Sequence, residues 1–198
     1  NLVERNGLYY KKFEDTPFSG KVVGMEKGKI KKGKRVGEWS AYYFDGNLQE
    51  KGTYKNGKKN GKWVYISRYG AKSEGEYVDG LREGLWKLDG ETHCCLAEGF
   101  YKNGVKSGSW KGYDWNGKLL FIGSYVNDKK DGYWEWYRLR DGSVDPDSTG
   151  TYRNGKMISR HPDAKIHCPY EYLIDNKCEE YREEKEKRKP IIKVKFYS

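Results

Sequence analysis

Cysteine and histidine are the residue types in this chain that most readily support metal or nucleophilic chemistry. The sequence contains four cysteines and three histidines. They are Cys94, Cys95, Cys168, Cys178, His93, His161 and His167. Zinc sites usually draw ligands from C-x-x-C or H-x-x-x-H spacings, and neither spacing occurs here. The sequence therefore disfavours a zinc site, and we expect no cofactor.

The sequence also shows no pair of side chains with the spacing of a catalytic nucleophile and its base. His167 precedes Cys168 directly, and neighbours in an extended chain point in opposite directions, so they do not form a nucleophile and its base. Asp145 and Asp147 lie in a long irregular segment, where we expect a solvated loop and not a metal site. The glycines do not form a phosphate-binding motif between a strand and a helix. We expect a protein that is not an enzyme.

The cysteines suit a disulfide better than a reaction. Cys168 and Cys178 bracket PYEYLIDNK, and closing so short a loop contributes about 3 kcal/mol when unstrained. An even number of cysteines is typical of exported proteins. Cys94 and Cys95 are adjacent, so they are either free or paired with another chain. The sequence begins at Asn1 and not at Met, which we expect of a trimmed chain or of a mature form without its signal peptide.

Aromatic residues recur with a regular period, which indicates that the secondary-structure elements on which they lie are also repeated. Five tryptophans stand at steps of 24, 23, 24 and 24 residues, each two residues after a glycine. They are Trp39, Trp63, Trp86, Trp110 and Trp134. A second series, also two residues after glycines, is Tyr54, Tyr77, Tyr101, Tyr125 and Tyr152. The two series define five structural repeats, residues 37–155.

Turn signals between the aromatic residues identify the repeat as a β-hairpin. Asn-Gly or Asp-Gly occurs eleven times, and both residues tolerate the positive φ of a primed turn. Each repeat therefore reads as strand, turn, strand, turn, with tryptophan on the first strand and tyrosine on the second. A glycine beside an aromatic residue leaves room for a ring from the adjacent strand. We predict an all-β fold, an elongated single-layer antiparallel sheet of stacked hairpins.

The pattern resembles the MORN repeat in its bacterial variant. GEWSAYYFDGNLQEKGTYKNGKKN (37–60) is close to that form, and GKWVYISRYGAKSEGEYVDGLRE (61–83) follows with one residue fewer. Residues 6–20 resemble the leader found before such repeats in antitoxin-like proteins. The third repeat departs from the pattern around Glu91–Cys95, the fourth has Asp128 in place of a glycine, and the fifth is longer. The resemblance implies a binding or scaffolding role and not a reaction.

The ends of the chain lack the full repeat and are predicted to be caps. Residues 1–36 read as an N-terminal cap with a degenerate half-repeat. Residues 156–198 read as a C-terminal cap in which the disulfide loop leads to a short helix at 179–189. Pro190 ends that helix, and an edge strand follows it. A partner-binding tail is the alternative interpretation of this segment.

The net charge and the aromatic residues outside the repeat positions indicate which class of partner the protein binds. The net charge is +10, with lysines clustered at predicted turns, although interleaved glutamates dilute a continuous positive stripe. We name four residues as partner contacts: Trp115, Trp136, Lys58 and Lys59. The leading hypothesis is an exported scaffold in the periplasm, at the outer membrane or on the cell surface, which binds a protein as an accessory subunit or as a neutralising binder. The alternatives are a peripheral module on anionic membranes and a glycan-binding protein, whereas nucleic acid is disfavoured.

Overall fold

The computed structural model describes residues 2–92 and 95–162. Cys94, the predicted Cys168–Cys178 disulfide and the predicted helix and strand of the C-terminal cap fall outside the described residues. These expectations stay predictions, as do the boundaries of the three predicted segments.

Fifteen strands make up the described part of the chain, and thirteen of them form one antiparallel sheet. The strands are β1 (Leu2–Arg5), β2 (Leu8–Lys11), β3 (Gly20–Val22), β4 (Glu26–Lys31), β5 (Lys34–Tyr42), β6 (Leu48–Lys55), β7 (Lys58–Ile66), β8 (Lys72–Val78), β9 (Leu81–Thr92), β10 (Cys95–Lys102), β11 (Val105–Tyr113), β12 (Leu119–Val126), β13 (Lys129–Trp136), β14 (Gly150–Arg153) and β15 (Lys156–Arg160). From β3 to β15 each strand pairs with the next one in the chain. Such a meander needs only short turns and no crossover.

This architecture confirms the predicted all-β sheet of stacked hairpins. In the first repeat, Trp39 lies on β5 and Tyr54 on β6, and the next hairpin repeats the arrangement with Trp63 on β7 and Tyr77 on β8. Within the described ranges, no helix has the length and apolar character needed to cross a membrane.

The two long edges of the sheet carry different turns. At one edge the turns have two central residues, both with positive φ, as in Asn56 (52°) and Gly57 (84°). These are the primed turns that the Asn-Gly dipeptides predict. At the other edge the turns are longer. Tyr43 donates its N–H to the carbonyl of Asn47, and only Gly46 has positive φ. Asp45-Gly46 is therefore not a two-residue primed turn, because a type I turn precedes the glycine.

The N-terminal hairpin of β1 and β2 packs at the first end of the sheet. The N–H of Tyr9 donates to the carbonyl of Gly33, and the N–H of Gly33 donates to the carbonyl of Phe18. Leu2, Tyr9 and Phe18 contact the first buried cluster, which contains Ile30. The hairpin thus covers the first buried cluster at this end of the sheet.

Candidate functional site

One face of the sheet is closed by its own aromatic side chains, and we call it the ring face. Its five repeat tryptophans are between 0% and 4% exposed. Successive rings meet edge to face, with Trp and Tyr centroids 4.9 to 6.4 Å apart. All ten predicted repeat positions belong to this one column: Trp39, Tyr54, Trp63, Tyr77, Trp86, Tyr101, Trp110, Tyr125, Trp134 and Tyr152. A single-layer sheet thus buries large rings without a second layer.

The glycine two residues before each of the first four repeat tyrosines makes room for a tryptophan ring, whereas a Cβ on Gly150 would meet the backbone of Ser159. A Cβ placed on Gly52 would lie 2.2 Å from the Trp63 indole, and one on Gly75 would lie 2.2 Å from the Trp86 indole. Real Cβ atoms do not approach a ring so closely. The predicted packing of a ring over bare backbone is therefore confirmed at this glycine.

The glycine two residues before each tryptophan has a different role from the one we expected. Gly61 has φ of 71°, and a Cβ there would meet no atom within 4 Å. Around it, the pairs Lys51 with Val64 and Thr53 with Asn60 leave residues 61–63 opposite Gly52 alone. The glycine thus permits a β-bulge, and it does not make space for a ring.

The bulge leaves a backbone carbonyl for the tryptophan side chain. The indole N–H of Trp63 donates to the carbonyl of Thr53 at 3.1 Å. The other four tryptophans make the same bond across ten residues, at 3.0 to 3.2 Å. The buried N–H therefore has the partner that burial requires.

A row of cations covers the tryptophans, a feature that we did not predict from the sequence. Each cation lies 3.9 to 4.6 Å from the centroid of its tryptophan. They are Arg35, Lys59, Arg82, Lys106 and Lys130. Each stands four residues before its tryptophan, and this spacing was the available signal. Burial lowers the pKa of Lys130 and raises the pKa of Tyr125, so the ring face is a poor place for a further charged ligand.

The opposite face, which we call the open face, keeps its side chains in contact with solvent. Leu85 and Phe100 lie directly opposite each other on β9 and β10, and they are 46% and 49% exposed. Beside them a row of alternating charge crosses four strands: Glu74, Lys87, Glu98 and Lys111. An apolar centre with a charged border is the usual composition of a protein-binding surface.

The edge with two-residue turns, which we call the basic edge, places like charges opposite each other. Lys31 pairs with Lys34, and Lys55 pairs with Lys58. In the part of the chain that the structure describes, these four lysines have no ion pair. Like charges directly opposite one another destabilise a sheet, so folding alone does not account for them.

The other edge, which we call the aromatic edge, carries exposed rings at its turns. Phe44 is 95% exposed, Tyr69 is 99% exposed and Trp115 is 78% exposed. Each ring lies in a separate turn, before the glycine at Gly46, Gly70 or Gly117. Such rings contribute nothing to the core, and small polar residues normally occupy these turn positions.

The four residues that we named as partner contacts do not form one surface. Trp115 lies at the aromatic edge and Lys58 at the basic edge. Trp136 is half-buried on the ring face, 4.8 Å from the Phe121 ring. Lys59 donates to the carboxylate of Glu50 at 2.8 Å and covers the Trp63 ring.

The described residues offer little for metal chemistry. Across residues 2–92 and 95–162, no group of three or more His, Cys, Asp or Glu side chains is arranged to hold a metal ion. The open face and the two edges are the surfaces whose exposed side chains are suited to binding.

Comparison with known proteins identifies the repeat. Residues 35–56 and residues 106–127 match the family model described as a MORN repeat variant. Each match begins on the cation that covers the ring, Arg35 or Lys106, and runs through the tryptophan strand to the tyrosine strand. A search of curated proteins returns no match for this chain.

Proposed function

The chain is a MORN-repeat protein, and on that premise we propose that it is a scaffold that binds another protein on its open face. MORN repeats are generally protein- or lipid-binding scaffold motifs, and they are typically not catalytic. The observation that carries the proposal is the exposed pair of Leu85 and Phe100 beside the row of alternating charge.

The surroundings of the apolar pair suit a protein surface. A groove of about 210 Å³ runs beside Leu85, with Lys62, Glu74 and Lys87 among its lining residues. The ammonium of Lys62 lies 3.1 Å from the Glu74 carboxylate, and its hydrogen bond is the main cause of the lowered pKa of that carboxyl. Apolar anchors at the centre of such a patch provide most of the binding energy, and the charged rim provides specificity.

The cellular role is proposed from the resemblance and the cysteines. We propose an exported protein, because four cysteines suit an oxidising compartment. It would act as an accessory subunit of an envelope or surface assembly or as a neutralising binder, and the identity of the partner distinguishes these roles.

The test of protein binding uses the apolar pair. We expect the protein, purified from its source under mild non-reducing conditions, to carry a stoichiometric protein partner that mass spectrometry identifies. The double variant Leu85→Thr/Phe100→Thr removes the apolar anchors and replaces them with β-branched threonine, which strands favour. We expect it to bind the identified partner on the order of a thousandfold more weakly, since two anchor residues at about 2 kcal/mol each together contribute about 4 kcal/mol.

The matched control is Val126→Thr, which changes an equally exposed apolar residue near the basic edge. It should bind the partner as the wild type does. Equal binding by the double variant, or recovery of the bare chain at every salt concentration, would contradict the proposal.

A second candidate function is binding of an anionic membrane through the basic edge. The unpaired, like-charged lysines carry this proposal, because an anionic surface would remove their mutual repulsion. Contacts between neighbouring turns fix their positions along the basic edge. The N–H of Gly57 donates to the carbonyl of Arg35 at 2.9 Å, and the aliphatic part of the Lys34 side chain lies against Gly57.

Vesicle sedimentation tests the membrane proposal. We expect binding to phosphatidylserine-containing vesicles that disappears at high salt. Replacing Lys31, Lys34, Lys55 and Lys58 by alanine should weaken it on the order of a thousandfold, since each lysine contributes about 1 kcal/mol. A control that removes four other lysines, Lys51, Lys62, Lys87 and Lys111, loses the same charge away from that edge. If both variants lose the same affinity, net charge and not the basic edge is responsible.

A further inference from the structure

A groove lies between two consecutive turns of the aromatic edge. It occupies about 310 Å³ between the turn after β5 and the turn after β7. Its lining includes Tyr43, Asp45, Asn47, Ile66 and Arg68. The groove thus combines apolar surface with three polar side chains whose ends are planar.

Hydrogen bonds hold the walls of this groove in place. The backbone N–H and the side-chain amide of Asn47 donate to the two oxygens of Asp45, at 2.9 and 3.0 Å. The hydroxyl of Tyr43 donates to the carbonyl of Ile66 at 2.9 Å and joins the two hairpins. The guanidinium of Arg68 lies 5.4 Å from the centroid of the Tyr43 ring. The polar groups therefore occupy fixed positions before any ligand arrives.

An exposed aromatic ring lies in each of the two turns that form the groove, next in the sequence to residues of its lining. Phe44 stands between Tyr43 and Asp45 in the first turn, and Tyr69 follows Arg68 in the second. Both rings are almost fully exposed. They have no role in packing the sheet, so a ligand is the partner that would bury them.

We propose that this groove binds a sugar ring of an extended oligosaccharide. A pyranose presents C–H groups on its face and hydroxyls around its rim. Aromatic rings match the face, because the negative face of a ring attracts the C–H groups. The carboxylate of Asp45, the carbonyl of Asn47 and the guanidinium of Arg68 match the hydroxyls.

The same chemistry argues against an acyl chain in this groove. A lipid tail would bury the rings but would also cover the guanidinium of Arg68 and the remaining acceptor capacity of Asp45 and Asn47 without offering a hydrogen bond to them, which is unfavourable. The sugar satisfies both kinds of group. The polar lining therefore selects an oligosaccharide over a lipid tail.

The repeat gives this edge a spacing that suits a polysaccharide. Adjacent strands lie about 4.8 Å apart, so equivalent turns of successive hairpins are about 10 Å apart. A disaccharide unit in an extended β-1,4-linked glycan has about the same length. Trp115 lies in an equivalent turn further along the edge, where Asp114 accepts the N–H groups of Asn116 and Lys118. The turns after β5 and β7, about 10 Å apart, can therefore follow one chain of sugars.

Calorimetric titration with two hexasaccharides tests the proposal, one of β-1,4-linked N-acetylglucosamine and one of β-1,4-linked glucose. We expect at least one of them to bind the full chain. The variant Phe44→Ala/Tyr69→Ala should bind it about tenfold more weakly or worse. Because both rings are exposed, the variant should keep the melting temperature of the wild type. Phe13→Ala is the control, since Phe13 is equally exposed but lies near the N-terminal hairpin.

Arg68→Ala provides an independent check, because Arg68 takes part in none of the ion pairs found among the described residues. We expect it to weaken binding as well, about tenfold. Failure of both hexasaccharides to bind would overturn the proposal. Binding that neither Phe44→Ala/Tyr69→Ala nor Arg68→Ala changes would also overturn it, since the sugar would then bind elsewhere.

Discussion

Gly75→Ala should be among the most destabilising single methyl additions in this protein. The new Cβ would lie 2.2 Å from the Trp86 indole, which is fully buried. The ring cannot move aside without losing its hydrogen bond to the carbonyl of Glu76 and its edge-to-face contact with Tyr77. We expect a loss of about 3 kcal/mol or more in the free energy of unfolding, measured by urea denaturation.

Gly61→Ala separates steric conflict from backbone conformation. A Cβ at Gly61 meets no atom, but its φ is 71°. Forcing a residue with a Cβ into the left-handed region costs about 1–2 kcal/mol. Gly61→Ala should therefore be clearly less destabilising than Gly75→Ala. Equal losses in the two variants would show that the ring does not depend on the bare backbone of Gly75.

The sequence predicts the fold of this protein well because its repeat is local. The spacing of Trp39, Trp63 and the later tryptophans marks one strand of each hairpin, and Asn-Gly pairs such as Asn56-Gly57 mark the turns. Both signals depend on residues that are close in the chain. A meander pairs each strand with its neighbour, so no long-range pairing had to be found.

The β-bulge could not be predicted in the same way. The Gly61-x-Trp63 and Gly52-x-Tyr54 spacings look alike in the sequence, and we assigned both glycines the same role. The difference lies in the register of β6 and β7, where three residues face one. Register follows from hydrogen bonds between strands, which a residue pattern along one strand does not specify.

The cations over the tryptophans had a visible signal that we interpreted differently. Lys59 belongs to a cluster at a predicted turn, and we read that cluster as a surface feature. Its spacing of four residues before Trp63 recurs in every repeat, with arginine at Arg35 and Arg82. The lysines of the predicted cluster thus have different roles according to their position. Lys59 covers the Trp63 ring, whereas Lys58 faces solvent.

The column of rings explains how a single sheet remains folded without a second layer. Trp86 contacts Tyr77 at 5.1 Å and Tyr101 at 6.0 Å, so it joins the hairpin before it to the hairpin after it. In such a repeat protein each unit is stabilised mainly by its neighbours. The energetic weak points are therefore the contacts between hairpins and not the hairpins themselves.

Trp86→Ala should accordingly divide the sheet as well as destabilise it. Removing a buried tryptophan costs about 3–5 kcal/mol, and here the loss falls on the junction between β8 and β9. We expect hydrogen exchange to show that the strands on the two sides of the junction open independently in the variant, whereas they open together in the wild type. Trp115→Ala is the control, because that ring is exposed and should leave exchange unchanged.

The variant Trp86→Phe distinguishes packing from hydrogen bonding at this junction. Phenylalanine keeps a ring against Tyr77 and beneath the guanidinium of Arg82, but it cannot donate to the carbonyl of Glu76. If packing couples the hairpins, Trp86→Phe should preserve joint opening and lose only about 1–3 kcal/mol, the usual effect of an unpaired buried acceptor. Independent opening in this variant would instead make the indole hydrogen bond the coupling contact. Joint opening in Trp86→Ala itself would mean that backbone pairing between β8 and β9 is sufficient, and the column of rings would then be a source of stability but not of cooperativity.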